Sequence, residues 1–450
     1  MDAFLPRKQQ ARLLRWRSKS RPRPLVLRGP RQVGKSTLVR QLGRDYEQYI
    51  ELNLEREADR QLFKTLPEVR PFLAELFVRE GAKPALASST LLFIDEIQQA
   101  PNAIQFLRYL YEDQSEVHVI AAGSLLEFAL GEVRSMPVGR VEFMAVHPLT
   151  FREYLVWMGK EQLVDALDVV PAPAHAEPYL REAFRDFALT GGMPSIVASL
   201  AAGADAAELY DLYEGIWDSY RTDLERHAKS DKQRDLFRFL LLAAPFELER
   251  FSYARFGGSD YPSREVKEAL GQLQMARILR VVRPTTSMRP PALPNVRAKP
   301  RLQFLDVGLL NFMSGLLRTT TKLAHLSDAY RGQLAAQVVT QELIASQDRY
   351  SYEPYFWVRE KRTSNAEVDL VYQDGMRLLG FEVKAGAQGR LRSLHQYVER
   401  SGTDIAIRAL ENAPEVADVT TPGGYAYRLL NIPHYATAQL DEYLTWAKSV

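Results

Sequence analysis

Gly29-Pro30-Arg31-Gln32-Val33-Gly34-Lys35-Ser36 satisfies G-x-x-x-x-G-K-[ST] at every fixed position. This spacing lets successive backbone N–H groups wrap a polyphosphate at a helix N-terminus, with the lysine on the β- and γ-phosphates and the hydroxyl on Mg²⁺. The flanks supply the required context. Pro24-Leu25-Val26-Leu27 is an apolar run of buried-strand type, and Thr37-Leu38-Val39-Arg40-Gln41-Leu42 continues as an amphipathic helix. Gly29, Pro30, Arg31, Gln32, Val33, Gly34, Lys35, Ser36 and Thr37 are therefore the candidate residues for binding ATP, with Mg²⁺ as its counter-ion.

A loop of this kind needs an acidic strand to hold the metal and orient water. Leu91-Leu92-Phe93-Ile94-Asp95-Glu96 fits, because four apolar residues deliver two carboxylates to the C-terminal edge of a parallel sheet, where ligands bind. Asp95 is read as a metal ligand through water and Glu96 as the residue that polarises the attacking water. A strand end with solvated charges is the alternative. A third strand, Val117 to Ala122, stops at Gly123-Ser124. An arginine supplied to the γ-phosphate, in cis or from a neighbouring subunit, speeds phosphoryl transfer by about 10³ to 10⁵. Arg140 is the first candidate and Arg134 the second, with a surface salt bridge as the alternative for either.

Leu27 to Ser36, Phe93-Ile94-Asp95-Glu96-Ile97-Gln98, Ala122-Gly123-Ser124, Gly139-Arg140 and Pro148-Leu149-Thr150-Phe151 together resemble a large prokaryotic group of AAA-type P-loop ATPases, of the AAA_14 kind. Its members carry a DUF4143-type C-terminal domain of nuclease-like character. Thr190-Gly191-Gly192-Met193-Pro194, Phe304 to Leu310, Glu367-Val368-Asp369-Leu370 and Phe381-Glu382-Val383-Lys384 extend the resemblance, with gaps, over nearly the whole chain. It implies that Ser124 senses the γ-phosphate; the alternative for Ser124 is a turn or N-cap serine.

Composition agrees with this outline. A chain of 450 residues holds two to four domains, and its 46% hydrophobic and 25% charged content is ordinary for a globular protein. The net charge of +2 argues nothing globally. Zero cysteines exclude disulfides, thiolate zinc sites and a cysteine nucleophile, and suit a reducing cytoplasm. No apolar run approaches the ~18 residues of a membrane span, and the N-terminus lacks the apolar core of a signal peptide, so a cytoplasmic protein is expected.

Charge is uneven along the chain. Arg7, Lys8, Arg12, Arg15, Arg17, Lys19, Arg21 and Arg23 precede the first strand against a single acid, Asp2. Such a leader either touches nucleic acid or lays its arginine stems on the ATPase core. Val281 to Pro300 holds Arg283, Arg289, Arg297 and Lys299 without an acid. It follows an apolar helix from Leu236 to Ala244, a second helix from Ser263 to Met275 and a strand from Ile278 to Val282, which is the order of a winged helix. Arg264, Lys267 and Arg277 are its candidate DNA contacts; a packing spacer is the alternative.

The C-terminal third holds the other candidate chemistry. Glu367 to Tyr372 and Arg377 to Lys384 alternate as two strands around Gln373-Asp374-Gly375-Met376. With Asp374-Gly375 as the two-residue turn, Asp369 lies opposite Gly380 and shares a face with Glu382 and Lys384. Two carboxylates and a lysine form the constellation of the PD-(D/E)xK nucleases, in which Asp369 and Glu382 would hold Mg²⁺ and Lys384 would position the attacking water. Gln396 and Tyr397 resemble residues that follow the lysine in some members. Related chains usually have a glutamate early in the helix after Gly332, where this chain has Ala336; Glu342 is the remaining acid there.

The expected fold class is α/β, comprising a P-loop AAA+ ATPase core (1–150), a helical lid (151–230), a winged-helix-like segment (231–300) and a restriction-endonuclease-like domain (301–450). Apolar lid positions are expected at Tyr179, Phe184, Phe187 and Leu189; the resemblance implies that a lid offers a second arginine or lysine to the nucleotide, and Arg181 and Arg185 are available without either being assigned the role. The expected activity is Mg-ATP hydrolysis that regulates a DNA-engaging, nuclease-like domain. The alternative is a switch or remodelling ATPase whose inactive nuclease-like domain binds DNA or a protein. An oligomer is compatible with either.

Overall fold

The computed structural model describes residues 6–66, 68–113, 116–128, 139–318, 328–347, 352–359, 366–386 and 391–450. Arg134 lies outside them. The chain divides into two compact units. Met1–His147 with the short segment Met275–Arg277 makes up most of the first, and Pro148–Gln274, Ile278–Gln347 and Ser351–Val450 make up the second.

In the first unit, β1 (Leu25–Arg28), β2 (Gln48–Asn53), β3 (Thr90–Asp95), β4 (His118–Gly123) and β5 (Glu142–Ala145) form a sheet in the order β2-β3-β4-β1-β5, with every pairing parallel. Near-continuous apolar strands suit a sheet covered on both faces. Alternate residues serve opposite faces. Val26, Leu92 and Ile94 join the core under Glu57–Thr65, Val69–Glu80 and Pro101–Glu112, whereas Leu25, Leu27, Leu91 and Phe93 join the core under Gln9–Arg17 and Lys35–Gly43. Because β4 separates β1 from β3, the loops that leave these three strands emerge side by side at one edge.

The basic leader is engaged with its own unit. Leu13 and Trp16 are buried, Arg7 donates to the carbonyls of Val33 and His147 at 2.9 and 2.7 Å, Arg12 donates to the Phe143 carbonyl at 2.8 Å, and Lys19 pairs with Glu142 at 2.7 Å.

The second unit begins with helices Phe151–Trp157, Glu161–Leu167, Glu177–Thr190, Pro194–Ala201 and Ala206–Arg226, followed by Asp231–Ala243 and Ser263–Met275. β6 (Leu279–Thr285) and β7 (Arg301–Phe304) then pair antiparallel. β8 (Tyr355–Val358), β9 (Glu367–Asp374), β10 (Arg377–Val383), β11 (Ile405–Leu410), β12 (Glu415–Thr420) and β13 (Ala426–Pro433) complete an eight-stranded mixed sheet in the order β12-β13-β11-β10-β9-β8-β6-β7. β6 joins it by pairing parallel with β8, so the hairpin after the two helices continues the C-terminal sheet. One core collects Phe151, Tyr154, Phe184 and Phe187 of the early helices with Leu379, Phe381, Ile407 and Leu430 of the sheet. Tyr179, expected on the apolar side, is 62% exposed.

The glycine motif at 190–194 and the segment 304–310 meet each other. Asp306 is fully buried; its carboxylate accepts from Gly192 N at 2.7 Å and, as N-cap of Val307–Met313, from Leu309 N at 3.0 Å. Burial pushes its pKa up to about 6 against those donors. A Cβ on Gly308 would stand 2.1 Å from the Thr190 carbonyl oxygen, so only glycine permits this approach.

The hairpin register differs from expectation. Arg377 pairs with Asp374 and Phe381 with Leu370, so the turn is Gly375-Met376, with Gly375 at φ +57°, and the next step of the ladder sets Asp369 against Glu382 rather than Gly380. The displacement is even, so each side chain keeps its face.

Candidate functional site

The first site lies at the C-terminal edge of the parallel sheet. Gly34, at φ +86°, precedes the helix Lys35–Gly43, and no side chain caps that helix at its N-terminus. A phosphate is the natural partner for amides and a helix dipole so presented. Gly29 is fixed by close approach: a Cβ there would stand 2.3 Å from the Val146 carbonyl oxygen. Val33 is fully buried and anchors the loop in the core.

Lys35 is buried, and its amine donates to the carbonyls of Gly29 and Pro30 at 3.0 and 2.6 Å. Burial lowers its pKa to about 8, although Glu96 and Asp95 pull it back upward. Ser36 Oγ donates to Asp95 Oδ2 at 2.7 Å, and the other Asp95 oxygen accepts from Glu96 N at 3.0 Å. Burial raises the Asp95 pKa. A hydroxyl and a carboxylate held against each other are a suitable donor set for Mg²⁺, so these residues fit the ion that accompanies ATP.

Glu96 sits at φ +51°, a costly conformation for a side chain with a Cβ and one that concentrates at functional sites. Its Oε2 accepts from Gln98 Nε2 and, at 3.4 Å, from Ser124 Oγ. The ends of β3 and β4 thus bring Glu96 and Ser124 together. The sequence carries no separate sign of this role for Gln98. A Cβ on Gly123 would stand 2.2 Å from Gln98 Oε1, so Gly123 makes room for it.

Of the two ways in which Arg140 is expected to reach a γ-phosphate, the geometry bears on the one within its own chain. It precedes β5, whose first residue, Glu142, is in register with Leu25 at the start of β1, whereas the P-loop follows the end of β1. Arg140 therefore occupies the opposite edge of the sheet, where it pairs with Glu112 at 3.0 Å, away from the P-loop of its own chain; supply from a neighbouring subunit is the remaining form of the expectation. Arg277 is also displaced from its expected role: rather than being an exposed DNA contact, it is half-buried against Glu127 at 2.8 Å.

The second site lies on β9 and β10. Asp369, Glu382 and Lys384 do converge: Asp369 Oδ2 accepts from Val383 N at 2.9 Å, and Lys384 Nζ pairs with Glu382 Oε1. Burial, with the Asp369 charge nearby, pushes Glu382 up to about 7. However, Arg301 of β7 reaches into the cluster. It pairs with Glu367 and, at 3.3 Å, with Asp369, while Arg250 pairs with Glu367 at 3.4 Å. A cavity of about 460 Å³ contains Asp369, Lys384, Arg301 and Ala336 in its lining.

The donor set does not fit a divalent ion. Ala336 brings no carboxylate to the cavity, a guanidinium engages Asp369, and among the described residues no group of three or more His, Cys, Asp or Glu is arranged to hold a metal. Glu342 is used elsewhere, accepting from Phe151 N at 3.1 Å with both oxygens. Tyr397 is buried and donates to the Leu378 carbonyl at 2.8 Å, and Gln396 accepts from Arg359 at 3.0 Å. Arg185 pairs with Glu411 at 3.0 Å, and Arg181 donates to the Glu411 carbonyl at 3.0 Å, so both serve packing within the second unit.

Residues 21–155 match the family described as an AAA domain; residues 181–320 match a domain of unknown function, DUF8612, and residues 331–432 another, DUF4143. Among solved structures the chain is similar to a Walker-type ATPase of Pyrococcus abyssi, at TM-score 0.44 and 15% identity over 69% of this chain and 96% of that one. It is also similar to a signal-transduction ATPase with numerous domains and a tetratricopeptide-repeat sensor from Pyrococcus horikoshii, at TM-score 0.28 and 14% identity over 77% of this chain and 46% of that one. The chain thus spans less than half the length of the latter. No curated protein matches it. The AAA-domain match covers most of the first unit, whose all-parallel sheet carries the glycine motif and the acidic strand at one edge. No helix among the described residues is long and apolar enough to cross a membrane.

Proposed function

We propose that the first unit binds Mg-ATP and hydrolyses it, and that its nucleotide state controls a nuclease-like domain in the second unit that engages DNA without cutting it. The Ser36–Asp95 contact carries the ATPase reading, because it joins the helix N-terminus to the acidic strand at the one place where a triphosphate and its ion would meet. When bound, Mg²⁺ would neutralise the charge of the β- and γ-oxygens, held by Ser36 directly and by Asp95. Lys35 would exchange the loop carbonyls for phosphate. Glu96 would orient water, with Ser124 and Gln98 holding its carboxylate in place.

A binding role for the nuclease-like domain, rather than cleavage, is favoured by Arg301 and Ala336 at the carboxylate cluster. The DNA reading draws on the segment after β6. Arg289, Arg297 and Lys299 are exposed there and form no ion pair among the described residues, so their charge is available to phosphates. On the helix Ser263–Met275, by contrast, Arg264 is already paired with Glu268 at 2.9 Å.

Glu96→Gln tests the ATPase. It should keep ATP affinity and lose steady-state phosphate release; turnover at the wild-type rate would refute the assigned role. Labelled duplex DNA, incubated with ATP and Mg²⁺ or Mn²⁺, should be retained but left intact. Cleavage that disappears in Asp369→Ala would overturn the non-cutting assignment, and absence of retention would overturn the DNA assignment.

A further inference from the structure

The helix Ser263–Met275 ends in a turn where Ile278 N donates to the Leu273 carbonyl at 3.1 Å, and Arg277, between them, sits at φ +60°. This is the left-handed position after a helix that glycine usually takes, because a side chain there is strained. The chain places an arginine there instead, which points to a task for its guanidinium.

That guanidinium lies at the nucleotide edge of the first unit, to which the segment Met275–Arg277 belongs. Its Nη2 pairs with Glu127 Oε1 at 2.8 Å, and the same oxygen accepts from Arg28 Nε at 3.0 Å. Arg28 is the last residue of β1, in register with Gly123 at the end of β4 and directly before Gly29 of the P-loop. The side chains of Arg28, Arg277 and Glu127 are 12%, 17% and 20% exposed, so water screens their charges weakly. The Arg277 charge is felt at Lys35: burial is the main cause of the lowered amine pKa, Glu96 and Asp95 oppose it, and Arg31 and Arg277 lower it further. Arg31 belongs to the loop itself, whereas Arg277 is brought to it by a distant part of the chain.

We propose that Arg277 is the arginine that meets the γ-phosphate of ATP within its own chain, with Glu127 as the positioning residue that aims it. The assignment rests on the Mg-ATP reading of the first unit, and it supplies in cis what Arg140, at the opposite edge, does not. A guanidinium presents a planar fork of five N–H donors, enough to serve a carboxylate and a phosphate at once. The chain on both sides of Met275–Arg277 belongs to the second unit, so a contact made with ATP and not with ADP gives that unit a covalent link to the nucleotide state.

Calorimetric titration of the full chain with ATP and with ADP, both in Mg²⁺, tests this. Wild type should prefer ATP. Arg277→Gln, which keeps a donor for Glu127 and loses the charge, should bind ATP about tenfold more weakly with ADP affinity unchanged. It should also hydrolyse saturating ATP about 10³-fold more slowly. Arg277→Lys restores the charge and should recover part of the preference. An arginine with a structural task alone would weaken both nucleotides alike, or neither. If Arg277→Gln does not fold, wild type decides: amide hydrogen exchange over 275–278 should slow with a non-hydrolysable ATP analogue and not with ADP. An ATP preference equal in wild type and Arg277→Gln, or exchange that the analogue leaves unchanged, would overturn the assignment while ATP binding stands. A wild type that binds neither nucleotide would overturn the Mg-ATP reading and this assignment with it.

Discussion

The Ser36 hydroxyl donates to Asp95 Oδ2 at 2.7 Å across 59 residues of sequence. Two motifs that were legible separately thus form one donor set at the edge of the sheet.

The first prediction concerns the metal. Ser36→Ala and Asp95→Asn should each flatten the Mg²⁺ dependence of ATP affinity, measured by titration in Mg²⁺ and in chelator, while wild type binds much more tightly with the ion. A variant with the full wild-type dependence would count against the shared donor set.

The second is a pH dependence. Lys35 titrates near 8 in the free protein, below its usual 10.5, because burial disfavours its charge. A bound triphosphate favours the charged amine and raises that pKa, so binding takes up a proton only where the free amine has lost one. Affinity should be flat below pH 8 and fall by up to about tenfold per unit above it. An affinity that rose between pH 8 and 9.5 would have the wrong sign.

The P-loop, its flanking strand and helix, and the acidic strand are legible because they rest on local signals: glycines at fixed spacing, apolar runs and their period. Contacts set by tertiary packing were not. Asp374-Gly375 reads as a hairpin turn, but the strand continues through Asp374, which pairs with Arg377, and the left-handed glycine becomes the first turn residue instead. Gly139-Arg140 lies close in sequence to the nucleotide motifs, yet which edge of the sheet it meets depends on where β5 begins. Arg301 carries no sequence sign of its partners Glu367 and Asp369, and Glu342 none of its partner Phe151.

A third prediction follows from Arg301. Wild-type protein should show no Mn²⁺ binding at the carboxylate cluster, whereas Arg301→Gln combined with Ala336→Glu should create a site detectable by calorimetry. Mn²⁺ binding by wild type that is lost in Asp369→Ala would show that the guanidinium does not displace the ion.

The fourth concerns stability. Gly308→Ala would place a methyl 2.1 Å from the Thr190 carbonyl oxygen and 2.5 Å from Tyr213 Oη. Both neighbours lie in packed helices, so the second unit should lose about 3 kcal/mol in urea denaturation. A change within about 0.5 kcal/mol would show that the contact relaxes freely.

The most direct measurement is a calorimetric titration of Mg-ATP into wild type and Lys35→Ala at pH 7.5. One site is predicted for wild type, with loss of detectable binding in the variant. Equal affinity in the two proteins would mean that the loop from Gly29 to Ser36 does not hold the triphosphate.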